Sequence, residues 1–320
     1  MANAITIPVH TWTTEHMTDI FLKPVFTAED IINTYAVDPT VNRSKTITLA
    51  NELSRILKKK DSCGFVATGN FSLGEKIITT VPCAINLEQC AQEFYNTVFK
   101  SNLKRGSDIY DLSDTVIEDV MVSRVSDVMR NDVFDLCWFG DISSTVDFFK
   151  PFDGWFQLLE DNLIAGNKVD IATTGDMGSN EAVSILKAVY KVSTPLRAVK
   201  PNEKVMLVTD TVYCNLLETY ENLGLDSGLA RLAEGGPLTF RGIAVEAQYN
   251  WDAVITGENL PDPHRIIYTK RENLMIGTDV KSPGTDAKLF LDELTEKFYF
   301  KANFDLGVQY LFDEYVVYAR

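Results

Sequence analysis

The chain has 320 residues, 45% of them hydrophobic, and its 45 Asp and Glu outnumber its 30 Lys and Arg to leave a net charge of −15. That length and apolar content build one large globular domain or two to three smaller ones, and exclude a disordered or fibrous chain. The acidic balance argues against gripping nucleic acid through a general basic face, because such binding needs Lys and Arg to displace phosphate counterions. It leaves open a container for nucleic acid whose lining does not stick to its cargo.

No stretch approaches the ~18–20 uninterrupted apolar residues of a membrane span. The start, Met1-Ala2-Asn3-Ala4-Ile5-Thr6, lacks the basic and apolar regions of a signal peptide. The expectation is a soluble protein made in a cytoplasm. Cys63, Cys83, Cys90, Cys137 and Cys214 are odd in number and form no C-x2-C pair, so buried free thiols are expected over zinc or redox chemistry.

Residues 1–42 read as an extended arm, since Pro8, Pro24 and Pro39 interrupt any long helix. A short helix is predicted over 28–35, with Thr27 as its cap. Residues 43–60 set Arg43, Lys45, Arg55, Lys58, Lys59 and Lys60 against Glu52 alone, a local net of +5. From 61 to 88 the pattern is strand-like and punctuated by Gly64, Gly69 and Gly74, which predicts a long hairpin or protruding loop. A helix is predicted over 87–103.

A longer helix is predicted next, over about 107–138. Its apolar stripe runs Ile109, Leu112, Val116, Ile117, Val120, Met121, Val125, Val128, Met129, Val133 and Leu136. At 1.5 Å per residue it would reach ~45 Å, and Gly140 is its stop signal. The polar face carries Asp108, Asp111, Asp114, Glu118, Asp119, Asp127, Asp132 and Asp135 against Arg124 and Arg130, a local net of −6.

Shorter elements follow, with helices predicted over 155–164, 180–192 and 212–224 and strands over 204–209 and 243–248. Residues 142–262 therefore read as an α+β lobe. Beyond 263 the strands lengthen. From Phe298 to Phe312 every even position is apolar and most odd ones are polar or small, a period of two that marks one very long strand. At ~3.3 Å per residue it spans roughly 50 Å, far beyond a typical strand of about 5–6 residues.

Catalytic and metal motifs are missing. His10 and His16 lie in the arm and His264 beside prolines, where solvated rings are expected. The run Gly69-Asn70-Phe71-Ser72-Leu73-Gly74-Glu75-Lys76 misses a phosphate-binding loop, because Glu75 separates the second glycine from the lysine; a β-turn is the expectation. Asp108, Asp111 and Asp114 lack the calcium-loop spacing and suit a helix N-terminus. There is no G-x-S-x-G or G-x-G-x-x-G motif.

Several strings occur in a telling order. Val205-Met206-Leu207-Val208-Thr209-Asp210 precedes a helix, and Phe240-Arg241-Gly242-Ile243-Ala244-Val245 follows. Asn273-Leu274-Met275-Ile276-Gly277-Thr278-Asp279 comes after the strand Ile266-Ile267-Tyr268-Thr269. Then come Phe300-Lys301-Ala302, Gly307-Val308-Gln309 and Tyr315-Val316-Val317-Tyr318-Ala319. Together, from about 138 to 319, these resemble the major capsid proteins of tailed double-stranded DNA bacteriophages, whose shell fold encapsulins share. Residues 1–137 match by architecture: arm, projecting loop, long helix.

The resemblance implies an α+β capsid shell fold with an N-terminal arm (1–42), an extended loop (43–86), and a peripheral domain (87–141 with the spine helix, and 263–320 with the C-terminal strands). It places an axial domain at 142–262. It implies self-assembly as hexamers and pentamers into an icosahedral shell around double-stranded phage DNA, in the virion, after assembly in the host bacterial cytoplasm. Partners would be further copies, portal and decoration proteins and packaged DNA without sequence-specific contact; no membrane, cofactor, metal or catalytic residue is implied. Nothing here resembles the cleaved scaffolding segment of many relatives, so such maturation is not expected, and no cross-linking role carries over to Lys76. Two rivals stand beside this reading, an encapsulin-like compartment and an α+β enzyme with an unrecognised site. The opposite local charges predict an inter-subunit contact of Arg43, Lys45, Arg55, Lys58, Lys59 and Lys60 with Asp111, Asp114, Glu118 and Asp119.

Overall fold

The computed structural model describes residues 34–50, 73–90, 116–222, 238–279, 286–292 and 297–320. The first segments form β1 (Ala36–Asp38), β2 (Ser44–Ala50), β3 (Leu73–Thr79) and β4 (Val81–Cys90). The helix α1 (Val116–Phe139) follows, then α2 (Trp155–Asn162), β5 (Lys168–Val169), α3 (Glu181–Val192) and α4 (Thr194–Ala198). Next come β6 (Lys204–Val208), α5 (Asp210–Asn222), β7 (Thr239–Phe240), β8 (Ile243–Ala247) and α6 (Tyr249–Gly257). The chain closes with β9 (Ile266–Lys270), β10 (Leu274–Thr278), β11 (Asp286–Asp292), β12 (Lys297–Tyr310) and β13 (Val316–Ala319).

The alternating segment is the 14-residue β12. Its length has a structural reason. One edge pairs with β4 from Lys297 to Leu306, while the other takes β11 and then β10 in succession. β1 adds in parallel to β10 and completes a five-stranded sheet. Phe300, Ala302, Phe304, Leu306, Val308 and Tyr310 are all buried, so the even face lies in the core as its period requires.

A second sheet has the order β5-β13-β9-β6-β8-β7. Its central strands are apolar at nearly every position, the signature of a sheet covered on both faces. Alternate residues feed two cores. Val205, Leu207, Ile267, Val316 and Tyr318 join a core with Met129, Val133, Leu136, Trp138, Trp155, Trp251 and the even face of β12. Met206, Val208, Ile266, Tyr268 and Val317 pack with Leu186, Val189, Val212 and Leu216 of α3 and α5. The first core therefore binds the long helix, the long strand and one face of the second sheet into a single packed body.

Several expectations need correction. The helix expected over 87–103 begins as strand, because β4 stays paired with β12 out to Cys90, opposite Lys297; residues 91–103 lie outside the described ones. Gly74, Glu75 and Lys76 belong to β3 and not to a turn, paired with Leu49, Thr48 and Ile47. Val128 is 57% exposed, whereas Met129, Val133 and Leu136 are buried, so the buried stripe is narrower than the sequence suggested. β9 and β13 follow residue 262 yet complete the sheet of β6 and β8. Of the helix expected over 28–35, Thr34 is helical and Tyr35 is already a bend leading into β1; the remainder, and the start of the long helix, fall outside the described residues. α6 carried no expectation at all.

Candidate inter-subunit surfaces

β2 and β3 form a two-stranded antiparallel sheet that crosses the five-stranded one. The crossing point is built from glycine. Gly277 of β10 and Gly307 of β12 lie directly opposite each other. A Cβ on Gly307 would sit 2.1 Å from the Thr79 carbonyl oxygen, and one on Gly277 would sit 2.7 Å from Ile78 Cδ1. At Gly307 only hydrogen fits against the backbone, while at Gly277 the Ile78 side chain would have to move, so the two glycines form the trough in which the hairpin root lies.

Polar bonds fix the angle of that root. The Val41 amide donates to the Thr278 carbonyl (3.1 Å), the Thr80 amide to Arg43 (2.8 Å) and Gln309 Nε2 to Ile77 (3.1 Å). Lys76 Nζ reaches Asp313 Oδ1 at 2.9 Å and stands 4.0 Å above the Tyr310 ring. The side of the hairpin turned away from Lys76 and Ile78 carries Leu73, 66% exposed, and Ile77, 58% exposed. Leu73 and Ile77 thus leave two large aliphatic groups exposed on one face of β3, on either side of the exposed Glu75.

The charged residues expected to meet across subunits occupy different situations. Arg43 is exposed, with a left-handed backbone (φ 61°). Lys45 forms an ion pair with Asp38 of its own chain. Glu118 and Asp119 fall within α1, while Arg55, Lys58, Lys59, Lys60, Asp111 and Asp114 lie outside the described residues. Farther along α1, Asp132 and Asp135 stand one turn apart. Burial pushes both carboxyls up, Asp135 to about 6, where Asp132 adds repulsion and an Asn250 amide at 3.4 Å partly offsets it.

Asp135 borders two concavities. One, of ≈710 Å³, includes Tyr35, Trp138, Trp251, Arg130, Arg271 and Glu246 in its lining. The other, of ≈410 Å³, is lined by Asp132, Val146, Phe148, Phe149, Val254 and Glu258, among others. Neither gathers a nucleophile with a positioned base.

His264 is not a solvated loop histidine. It is 3% exposed, with Nε2 donating to the Gly175 carbonyl at 2.6 Å and Nδ1 meeting the Thr211 hydroxyl at 2.9 Å. Its ring ties the 170–180 loop to α5, a structural role invisible in sequence because the partners are distant. Cys137 is buried and its thiol raised by burial; Cys83 is half-buried and pushed to about 11. Cys214 is exposed, contrary to the expectation of burial. Among the described residues no group of three or more His, Cys, Asp or Glu side chains is placed to hold a metal, and no helix is long and apolar enough to cross a membrane.

No family model matches the sequence, and no curated protein matches it either. Solved structures do. A chain of the satellite phage P4 procapsid that includes the size determination (Sid) protein superposes with a TM-score of 0.60 at 10% identity, over 96% of this chain and 88% of that one. The capsid of Ralstonia phage GP4 gives a TM-score of 0.56 at 11% identity, over 100% of this chain and 97% of that one. The cyanophage Pam1 capsid gives 0.54 at 10% identity, over 92% and 91%. The chain thus has an α+β fold of the kind found in phage capsid shells.

Proposed function

We propose that this chain is a major capsid protein that assembles as hexamers and pentamers into an icosahedral shell enclosing double-stranded phage DNA. The observation that carries the reading is the two-way coverage: at least 88% of both chains is shared with each of the three capsid structures. In this reading residues 1–42 are the N-terminal arm and 43–86 the extended loop. The peripheral domain combines α1 with the sheet of β12, and the axial domain of 142–262 is completed by β9 and β13.

The geometry supports a shell tile over an enzyme. Its two longest elements share one core and stiffen each other. The hairpin is seated rigidly at its root yet presents Leu73 and Ile77 outward. Closed shells arise from many such contacts between unlike patches of identical chains. Further copies, a portal, decoration proteins and DNA held without base-specific contact are the partners implied, in the virion.

Sedimentation and negative-stain microscopy of the purified full chain test the reading. Closed particles tens of nanometres across are expected, whereas a monomer or small oligomer under all assembly conditions overturns it. The encapsulin-like alternative would be favoured by particles filled with a co-purifying enzyme, and genomic neighbours encoding a terminase or portal decide for the phage.

A further inference from the structure

In a chain whose acids outnumber its bases 45 to 30, unpaired cations should be scarce, yet several gather around Tyr190. Lys187 and Lys191 stand one turn apart on α3, both exposed, on the same flank of Tyr190. Arg241 reaches in from the β7–β8 turn, where it and Gly242 both take positive φ (54° and 79°), and its guanidinium lies 4.7 Å above the Tyr190 ring. The exposed Arg197 lies in the last turn of α4, which leads through Lys200 to β6, and Tyr268 of the neighbouring β9 stacks on Tyr190 at 6.3 Å. Beneath them Lys204 is buried, its Nζ 5.9 Å from the Tyr190 ring and bonded to the Leu196 carbonyl at 2.8 Å.

Among the described residues Lys187, Lys191, Arg197 and Arg241 meet no carboxylate in an ion pair. The nearby Lys200 has Glu203, at a loose 3.7 Å. Like charges packed this closely repel one another, and a polyanion relieves that repulsion. We infer that this patch on the second-sheet lobe is a contact surface for the phosphate backbone of nucleic acid. The inference rests on the shell reading, which supplies a phosphate polymer that one side of every copy must face. Lys and Arg around a tyrosine, with no groove-reading element, fit sequence-independent contact. An acidic face of a second copy is the competing partner, and it predicts a different result.

The test is binding of a short random-sequence DNA duplex to the full-length chain across a salt series, with particle formation scored separately by microscopy. The parent should bind, and Lys187→Gln/Lys191→Gln should weaken binding several-fold and flatten the log–log salt dependence by roughly 2, about 0.9 per lost phosphate contact. Lys150→Gln/Lys301→Gln, which removes the same charge from exposed positions elsewhere, should leave the slope unchanged. A parent that does not bind, or equal slopes for the two variants, overturns the inference. So does a patch variant that binds DNA like the parent but no longer assembles, which would assign the patch to a neighbouring copy. A parent that binds DNA yet never forms particles would sink the shell reading and leave this surface standing.

Discussion

Adding one methyl group at Gly307 would press it to 2.1 Å from a backbone oxygen that cannot rotate away. Gly307→Ala should therefore cost about 1–3 kcal/mol, the usual range for overpacking a close contact, read as a lower urea midpoint with an unchanged slope. Wild-type stability in that variant would mean the hairpin root is loosely seated. Asp135 makes a second residue-scale case. Its carboxyl is raised from 3.8 to about 6, so between those values the unfolded chain ionises while the folded one keeps its proton. Stability from this group is thus lost as pH rises through that window and stays lost above it. Asp135→Asn should be more stable than the parent at pH 8, by under ~2 kcal/mol after solvent screening, and indistinguishable from it near pH 4. Equal melting temperatures at both values would show that burial does not penalise this carboxylate.

At the scale of elements, Leu73 and Ile77 lie on the open side of β3 and add little to the core of their own chain. Leu73→Ser/Ile77→Ser should leave the unfolding free energy within about 0.5 kcal/mol and, in the proposed shell, reduce particle yield sharply. Unchanged yield would show that the hairpin's apolar face covers nothing. The long strand was legible from sequence because its period of two continues for as long as its even face is buried. Most elements of the α+β lobe were legible too, through apolar runs bounded by turn residues. β4 was misread past Leu87 because what keeps it extended is β12, more than two hundred residues away. The trough at Gly277 and Gly307 had a signal, two glycines inside strands, but its meaning depends on which hairpin crosses there. The cluster around Tyr190 had almost none, since α3, α4 and the β7–β8 turn come together only in the fold.

For the whole molecule, the proposed shell raises the question of what would set register between copies of an acidic chain. Apolar patches such as Leu73 and Ile77 attract without direction, while charge pairs choose among orientations and add little affinity of their own. The chain separates its charge in sequence, with a net of +5 over 43–60 and −6 along the polar face from Asp108 to Asp135. Lys45 already answers Asp38 within its own subunit, which leaves Lys58, Lys59 and Lys60 as the concentrated part of the basic stretch. Reversing all three to Glu changes the local net to −1 and, in the proposed inter-subunit contact, would set like charge against the acidic helix face of a neighbour. The monomer should keep its far-ultraviolet circular dichroism while particle yield collapses. Raising ionic strength should recover part of that yield, since salt screens repulsion between exposed charges beyond about 8–10 Å. Normal particle yields from the triple variant at low salt would mean that register is set elsewhere, with the apolar hairpin face the first place to look.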